Sequence, residues 1–354
     1  MRKFYPLLLT VIFSVIAYNA NAQSGFSDII KIAPGDATKL LQSYGQPLFK
    51  GFGVGMNSGW ANTAKPKKLL HFDLRITASA AFTPNSGKSF DVSKLGLTSV
   101  SPADPNQTIA PTIGGERDND GPTLNINNTK NSPNGPSTVT LPKGYLPVIP
   151  FPQVQLTIGL MDRTDLTVRF IPNVKVGSDV GSVNMIGFGL KHDVTKYIFG
   201  PARKVVPFDL SVLFAYSRLN LKADLNVQPE DGATPENSSQ QTDFSNQYSD
   251  AHFSSFLAEA IISKKMLFFT PFLAVGYNTA STNLTTVGNY PVITGNNGTN
   301  DTYTVYTNPV TIRETSINGF RADAGFQLDL GIHIFASASL AQYKSVNAGI
   351  GFGF

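Results

Sequence analysis

Charged and polar side chains recur at every second position in several stretches of this sequence. His71, Asp73 and Arg75 alternate with Leu70, Phe72, Leu74 and Ile76. Asp165, Arg169, Lys191, Asp193, Asp209, Glu259, Arg321, Asp323 and Asp329 sit in segments of the same kind. A spacing of two puts such groups on one face of an extended strand and their apolar neighbours on the other. Carboxylates and guanidiniums facing one another in a closed interior pair or meet water. The chemistry to expect is therefore an ion-pair and hydrogen-bond network that fixes whatever fills the interior, or else a polar path for a solute.

Catalytic and cofactor chemistry finds less support. The four histidines, His71, His192, His252 and His333, show no H-E-x-x-H or other ligand spacing, and cysteine is absent. No metal and no cofactor are expected. His252 lies close to Asp250, Ser254 and Ser255, a trio that would suit a rim hydrolase, although residue types this common fall together by chance. The G-x-G runs at Gly187-Phe188-Gly189 and at Gly349 to Gly353 have no helix pattern behind them and are not nucleotide loops. Gly187, Gly189, Gly325, Gly349, Gly351 and Gly353 share the polar phase, where missing side chains leave a smooth glycine wall on which an N-terminal plug is expected to lie.

The elements that must position these residues are strands. From Leu70 to Phe82 every even position is apolar, and the same alternation marks 153–160, 165–171, 183–194, 208–223, 251–262, 267–278, 320–330, 334–342 and 346–354. Three polar stretches rich in Gly, Asn, Ser, Thr and Asp interrupt them at 83–150, 224–250 and 280–317. With the C-terminus on the periplasmic side, all three fall on the outer side and the short charged hairpins on the inner side, as in outer-membrane barrels. The fold expected is all-β, an antiparallel transmembrane β-barrel of about 10–12 strands.

Composition agrees. Charged residues are 15% of the chain and hydrophobic residues 41%, the former well below the roughly 25% of soluble domains. No interior stretch approaches the roughly 20 apolar residues of a membrane helix. A net charge of +4 without a basic stripe argues against nucleic acid. A soluble β-sandwich is the alternative fold, but strands this long would give it a very thick core.

The two ends differ from the middle. Residues 1–22 carry a basic start, an apolar run and Ala20-Asn21-Ala22, the pattern of a cleaved secretory leader. Residues 23–66 are expected to form a periplasmic or lumenal plug, with a short helix opened by Asp36 and stopped by Gly45. The alternation of Phe52, Val54 and Met56 with glycines leaves a strand open there. At the other end Val346, Ala348, Ile350, Phe352 and Phe354 share an apolar face, a closing strand of the kind the barrel-assembly machinery recognises. Tyr197, Phe199, Tyr216, Tyr277 and Tyr343 lie near strand ends and would suit interface girdles.

Tyr44-Gly45-Gln46-Pro47-Leu48, Gly59 to Ala64, Pro150 to Gln153, Arg169 to Pro172 and the ending Tyr343 to Phe354 together resemble an uncharacterised outer-membrane barrel family of Bacteroidota, domain of unknown function 6588. The resemblance implies the fold and an outer-membrane location in a Gram-negative bacterium, but no activity. More loosely the chain is similar to FadL-type transporters of hydrophobic compounds, which place a plug before the first strand; their N-P-A signature is Asn62-Thr63-Ala64 here. The function expected is passage of a small molecule, hydrophobic or not, through a plugged lumen. The alternatives are a non-conducting barrel whose loops bind a surface partner and, more remotely, a hydrolase. The partners expected are outer-membrane lipid, lipopolysaccharide, the assembly machinery and an unknown small-molecule substrate.

Overall fold

The computed structural model of the protein describes residues 22–129, 135–161, 163–175 and 181–354. The leader expected over 1–22 lies outside them except for Ala22. Ten strands close into one antiparallel barrel. They are β1 (Phe72–Phe82), β2 (Val148–Met161), β3 (Thr164–Lys175), β4 (Ser182–Asp193), β5 (Asp209–Leu225), β6 (Gln247–Ser263), β7 (Phe269–Val287), β8 (Thr311–Asp329), β9 (His333–Leu340) and β10 (Lys344–Gly353). Each pairs with its chain neighbours, and β1 pairs with β10 from Asp73↔Gly353 to Phe82↔Lys344 to close the ring. The connections 194–208, 264–268 and 330–332 lie at one end, and 83–147, 226–246, 288–310 and 341–343 at the other.

The wall has two storeys. Strands β5 and β6 are 17 residues long and β7 and β8 are 19, well beyond the roughly 9–11 that cross a bilayer. On the outward face of β5, Leu210, Val212, Phe214 and Tyr216 give way to Arg218, Asn220, Lys222 and Asp224. On its inward face, the mixed set Ser211, Leu213, Ala215 and Ser217 gives way to the wholly apolar Leu219, Leu221 and Ala223. β6 repeats this: Asp250, His252 and Ser254 point out above Phe256, while Ala251 and Phe253 point in above Ser255. Nearer the short turns the barrel is apolar outside and holds its buried charges inside around one apolar cluster, a pattern that suits an outer face against lipid. Toward the long loops it is polar outside and apolar inside, like a soluble protein. Exposed Phe170, Phe188, Tyr216, Phe256, Tyr277 and Phe320 run along the boundary as an aromatic belt.

This inversion explains one departure from the sequence reading. Much of 280–317 is strand, since β7 runs on to Val287 and β8 begins at Thr311. Above the belt, polar residues such as Ser281, Asn283, Thr311, Arg313 and Thr315 occupy the outward face, and the stretch reads as a loop. The loops also carry small sheets of their own, including one that joins Thr234–Pro235, Asn289–Asn296 and Asp301–Thr307.

The N-terminal segment runs through the barrel. Helix α1 (Ala22–Ile30) packs at the long-loop end, where Ile29, Ile30 and Ile32 join Leu124, Val139 and Tyr290 in one buried cluster. Helix α2 (Pro34–Asn57) descends the lumen, and 58–68 continue to the short-turn end, where Leu70 N donates to Gly159 O at 2.8 Å. α2 does not stop at Gly45, and 51–56 are helical rather than extended. Four internal glycines cost about 1 kcal/mol each and Pro47 about 3 kcal/mol in a helix, so local preference opposes α2. Packing overrides it, because the lower part of the helix is buried in the barrel and Gly51, Gly53 and Gly55 sit where the wall comes closest. A Cβ on Gly51 would lie 2.7 Å from Ile149, on Gly53 2.6 Å from Ala280, and on Gly55 2.5 Å from Phe151. Asp36 does not cap its own helix. Its Oδ2 accepts from Thr98 N (2.8 Å), Ser99 N (2.7 Å) and Ser99 Oγ (2.7 Å), which pins a loop to the helix start. Burial alone would raise this carboxyl, but those bonds, with Lys39 beside them, hold it below its ordinary value.

Candidate functional site: the lumen around the N-terminal segment

The lower lumen holds most of the charges expected there. Asp73, fully buried, receives Arg75 at 2.6 Å and Lys67 at 3.5 Å, and His333 stands 3.7 Å away. Lys191 pairs with Asp165 at 3.0 Å, while Lys67 N donates to Asp165 (2.7 Å) and Lys191 Nζ to Thr63 O (3.0 Å). The extended part of the segment is thus laced between two charged strands. Arg321 binds Glu259 at 3.0 Å and Asp323 at 2.6 Å, and its Nη1 donates to Asn57 O at 2.8 Å.

Arg169 has no such carboxylate among the described residues. Its Nη1 donates to Met56 O (3.0 Å), Nη2 to Ser58 O (2.7 Å) and Nε to Gln155 Oε1 (3.0 Å), and its guanidinium lies 3.7 Å over the Trp60 ring. Two arginines therefore grip the carbonyl end of α2, where the helix dipole places partial negative charge. Trp60 itself is buried, bonds back to Met56 O at 3.0 Å and packs among Leu213, Ala215, Leu257 and Phe272.

Other expected residues lie elsewhere. His71 precedes β1 and stands at the rim with its ring 6.2 Å from that of Phe354, outside the network. Asp193 accepts from Thr195 N at 2.7 Å, and Asp209 pairs with Arg203; both tie down the 194–208 turn. Asp329 holds Lys265 and His333, each at 2.8 Å, at the short-turn mouth.

The glycine wall divides in two. Gly187 and Gly189 do meet the segment, since a Cβ on either would lie 3.2 and 2.8 Å from the Trp60 indole. Gly325, Gly349 and Gly351 instead make room for side chains of the wall, Phe272, Phe335 and Arg75, and Gly353 abuts the Phe72 backbone. Large residues on adjacent strands fill those places, so the C-terminal strand does not receive the plug. Its other face, with Val346, Ile350, Phe352 and Phe354, is exposed as expected, and Ala348 shares it. Tyr343 departs from the girdle expectation: it is buried against Val54, Ala280 and Ile317.

His252 forms no nucleophile pair among the described residues. Its Nδ1 meets Asn220 Oδ1 at 2.7 Å and its Nε2 stands 3.5 Å from Asp250; Ser254 bonds Ser281 and Ser255 faces inward.

Above the charged tier lies a feature the sequence did not reveal. An apolar cavity of about 270 Å³ opens between α2 and strands β5 to β8, lined chiefly by Leu41, Tyr44, Phe49, Leu221, Ala251, Phe253, Leu284 and Ile312. Phe52 stands edge-on to Phe253 (5.2 Å) and to Phe151 (6.0 Å). No single strand betrays such a chamber, because its lining comes from two helices, four strands and a loop.

No curated protein matches the chain. Among solved structures, the Ail attachment invasion locus protein of Yersinia pestis superposes with a TM-score of 0.26 and 8% identity, over 81% of this chain and 99% of that one. The translocator domain of the autotransporter NalP from Neisseria meningitidis gives 0.29 and 8%, over 90% and 97%. The Ralstonia pickettii toluene transporter TbuX gives 0.22 and 10%, over 86% and 98%. Overlaps this loose bear on neither fold nor function here. A family profile does match, across residues 1–354, and it places this chain in the family of unknown function DUF6588.

Proposed function

We propose that this barrel resides in the outer membrane of a Gram-negative bacterium and passes a small hydrophobic molecule through its lumen, with the N-terminal segment as plug. The observation that carries the reading is the apolar chamber of about 270 Å³ enclosed by α2 and the inner faces of β5 to β8. Burial of an apolar ligand there is favourable by about 25 cal/mol per Å². With the long loops extracellular, the chamber stands above the lipid band, on the side from which an imported molecule arrives. The charged tier and the bottom of α2 close the way below it. Passage then requires the segment to shift.

The test is a lock. A Cβ at Gly53 would lie 3.7 Å from Ile317 Cβ, within the roughly 3.5–4.5 Å range of a disulfide, and the chain has no cysteine of its own. Gly53→Cys with Ile317→Cys, and Ala280→Gly to make room, ties α2 to β8. Proteoliposomes carrying the oxidised triple variant should take up phenylnaphthylamine more slowly than the same vesicles after reduction. Equal uptake in both states, no faster than in protein-free vesicles, would overturn the reading. It would favour a non-conducting barrel whose ordered loop sheets bind a partner.

A further inference from the structure

Arg169 is a buried cation whose direct partners are all neutral, with Glu259 acting on it only from a distance. Arg75, Lys67, Lys191 and Arg321 each have a carboxylate within 3.5 Å, whereas Arg169 has none among the described residues. It is fully buried, and burying an unpaired charge is expensive. What offsets the cost here is the N-terminal segment, through two backbone carbonyls and the indole face.

The surroundings of that indole are rich in donors. Along one row of the wall, Arg169 pairs with Gly187, Gly187 with Ser217, and Ser217 with Ser255. The Trp60 ring lies on Gly187 and Gly189, where no side chain intervenes. The hydroxyls of Ser217 and Ser255 and the amide nitrogen of Asn278 are all at least nine-tenths buried and have no hydrogen-bond partner. Glu259, the nearest inward carboxylate on β6, is engaged by Arg321.

We infer that the glycine floor under Trp60 is an anion-binding pocket, which the N-terminal segment fills with its own indole and carbonyl oxygens. A carboxylate or phosphate group competes with the segment for Arg169 and meets Ser217 beside Gly187, with Ser255 and Asn278 one and two strands further along the wall. An anionic oxygen adds full opposite charge beside the guanidinium, which a neutral carbonyl does not, and its bond from the Ser217 hydroxyl is about twice as strong as a neutral one, so occupancy of the pocket by an anion loosens the bottom of α2. This site is separate from the apolar chamber and does not depend on conduction.

The test uses the full chain in detergent, with its one tryptophan as reporter. Acetate, inorganic phosphate and octanoate are titrated against chloride at constant ionic strength, with octanol as the neutral control. The expected result is a saturable red shift of Trp60 emission and greater acrylamide quenching with the anions and none with octanol. A response to acetate or phosphate assigns the site to a free anion. A response to octanoate alone assigns it to the head of an amphiphile.

Arg169→Gln should abolish the response. Ser217→Ala with Ser255→Ala, which keeps the arginine in place should Arg169→Gln fail to fold, should weaken the affinity by about tenfold or more. An emission that no anion moves, or a response as strong in both variants as in the wild type, would overturn the proposal. Phenylnaphthylamine binding in the chamber, measured in the same samples, reports separately on the apolar site.

Discussion

Adding one methyl group to Gly53 tests the contact between α2 and the wall, because two effects of similar size oppose each other. An alanine Cβ there would lie 2.6 Å from Ala280 Cβ and 2.9 Å from Ile317 Cγ1, against a comfortable carbon separation of about 3.5–4.0 Å. Neither neighbour can rotate away cheaply: Ala280 has no rotamer, and both belong to hydrogen-bonded strands. Overpacking of this kind costs about 1–3 kcal/mol. Against it stands the gain of about 1 kcal/mol when alanine replaces glycine inside a helix. Gly53→Ala should therefore weaken the docking of α2 by up to about 2 kcal/mol. Adding Ala280→Gly should remove the closer of the two clashes, leave the one with Ile317 Cγ1 and keep the propensity gain, so the pair should couple by roughly 0.5–3 kcal/mol in a double-mutant cycle. Hydrogen exchange of the 50–57 amides in detergent reads this directly. A single variant better protected than the wild type, with no coupling to Ala280, would show that propensity alone acts and that the close approach is not there.

Three further outcomes follow from the same structure. Ala251→Phe projects a ring into the chamber that Ala251 helps to line and should weaken phenylnaphthylamine binding at least tenfold, as a fluorescence titration would show. Asp36 has a lower pKa folded than unfolded, so its stabilisation is complete above the ordinary carboxylate range near about 4 and is lost as pH falls through the lowered value. The melting-temperature advantage of wild type over Asp36→Asn should accordingly hold at neutral pH and vanish in strong acid. The Phe354 ring lies 4.6 Å from that of Phe72 across the closing strands. Phe354→Ala should remove an edge contact of about 1 kcal/mol and lower the yield of heat-modifiable folded barrel in outer-membrane fractions.

The lower storey was legible because membrane and lumen impose opposite demands on alternate residues. Leu74 and Arg75, or Phe170 and Arg169, can be read directly as lipid-facing and lumenal. The upper storey was not, since water outside and an apolar core inside erase the contrast at Ser281 and Asn283. Helix α2 was hidden for a different reason: Gly45, Pro47 and Gly51 to Gly55 argue against a helix locally, and only the surrounding wall makes one. The arginines of the site could be named from spacing, but their partners could not, because Met56, Asn57 and Ser58 contribute backbone oxygens that no side-chain pattern announces. Trp60, the lone tryptophan amid small residues, was the available signal.

The path of the N-terminal segment constrains any motion it makes. The chain is a cord drawn once through a ring that is tied to its own lower end at β1. Its upper end is anchored by the isoleucines of α1 in the loop core. Pulling the cord out would mean dismantling that core, and parting the ring would break the ten paired residues of the β1–β10 seam. A change that keeps both intact is a local slide of the stretch between α2 and Lys67. Assembly meets the same constraint in time, for the seam can close only around a cord already in place, or the cord must be threaded through a finished ring.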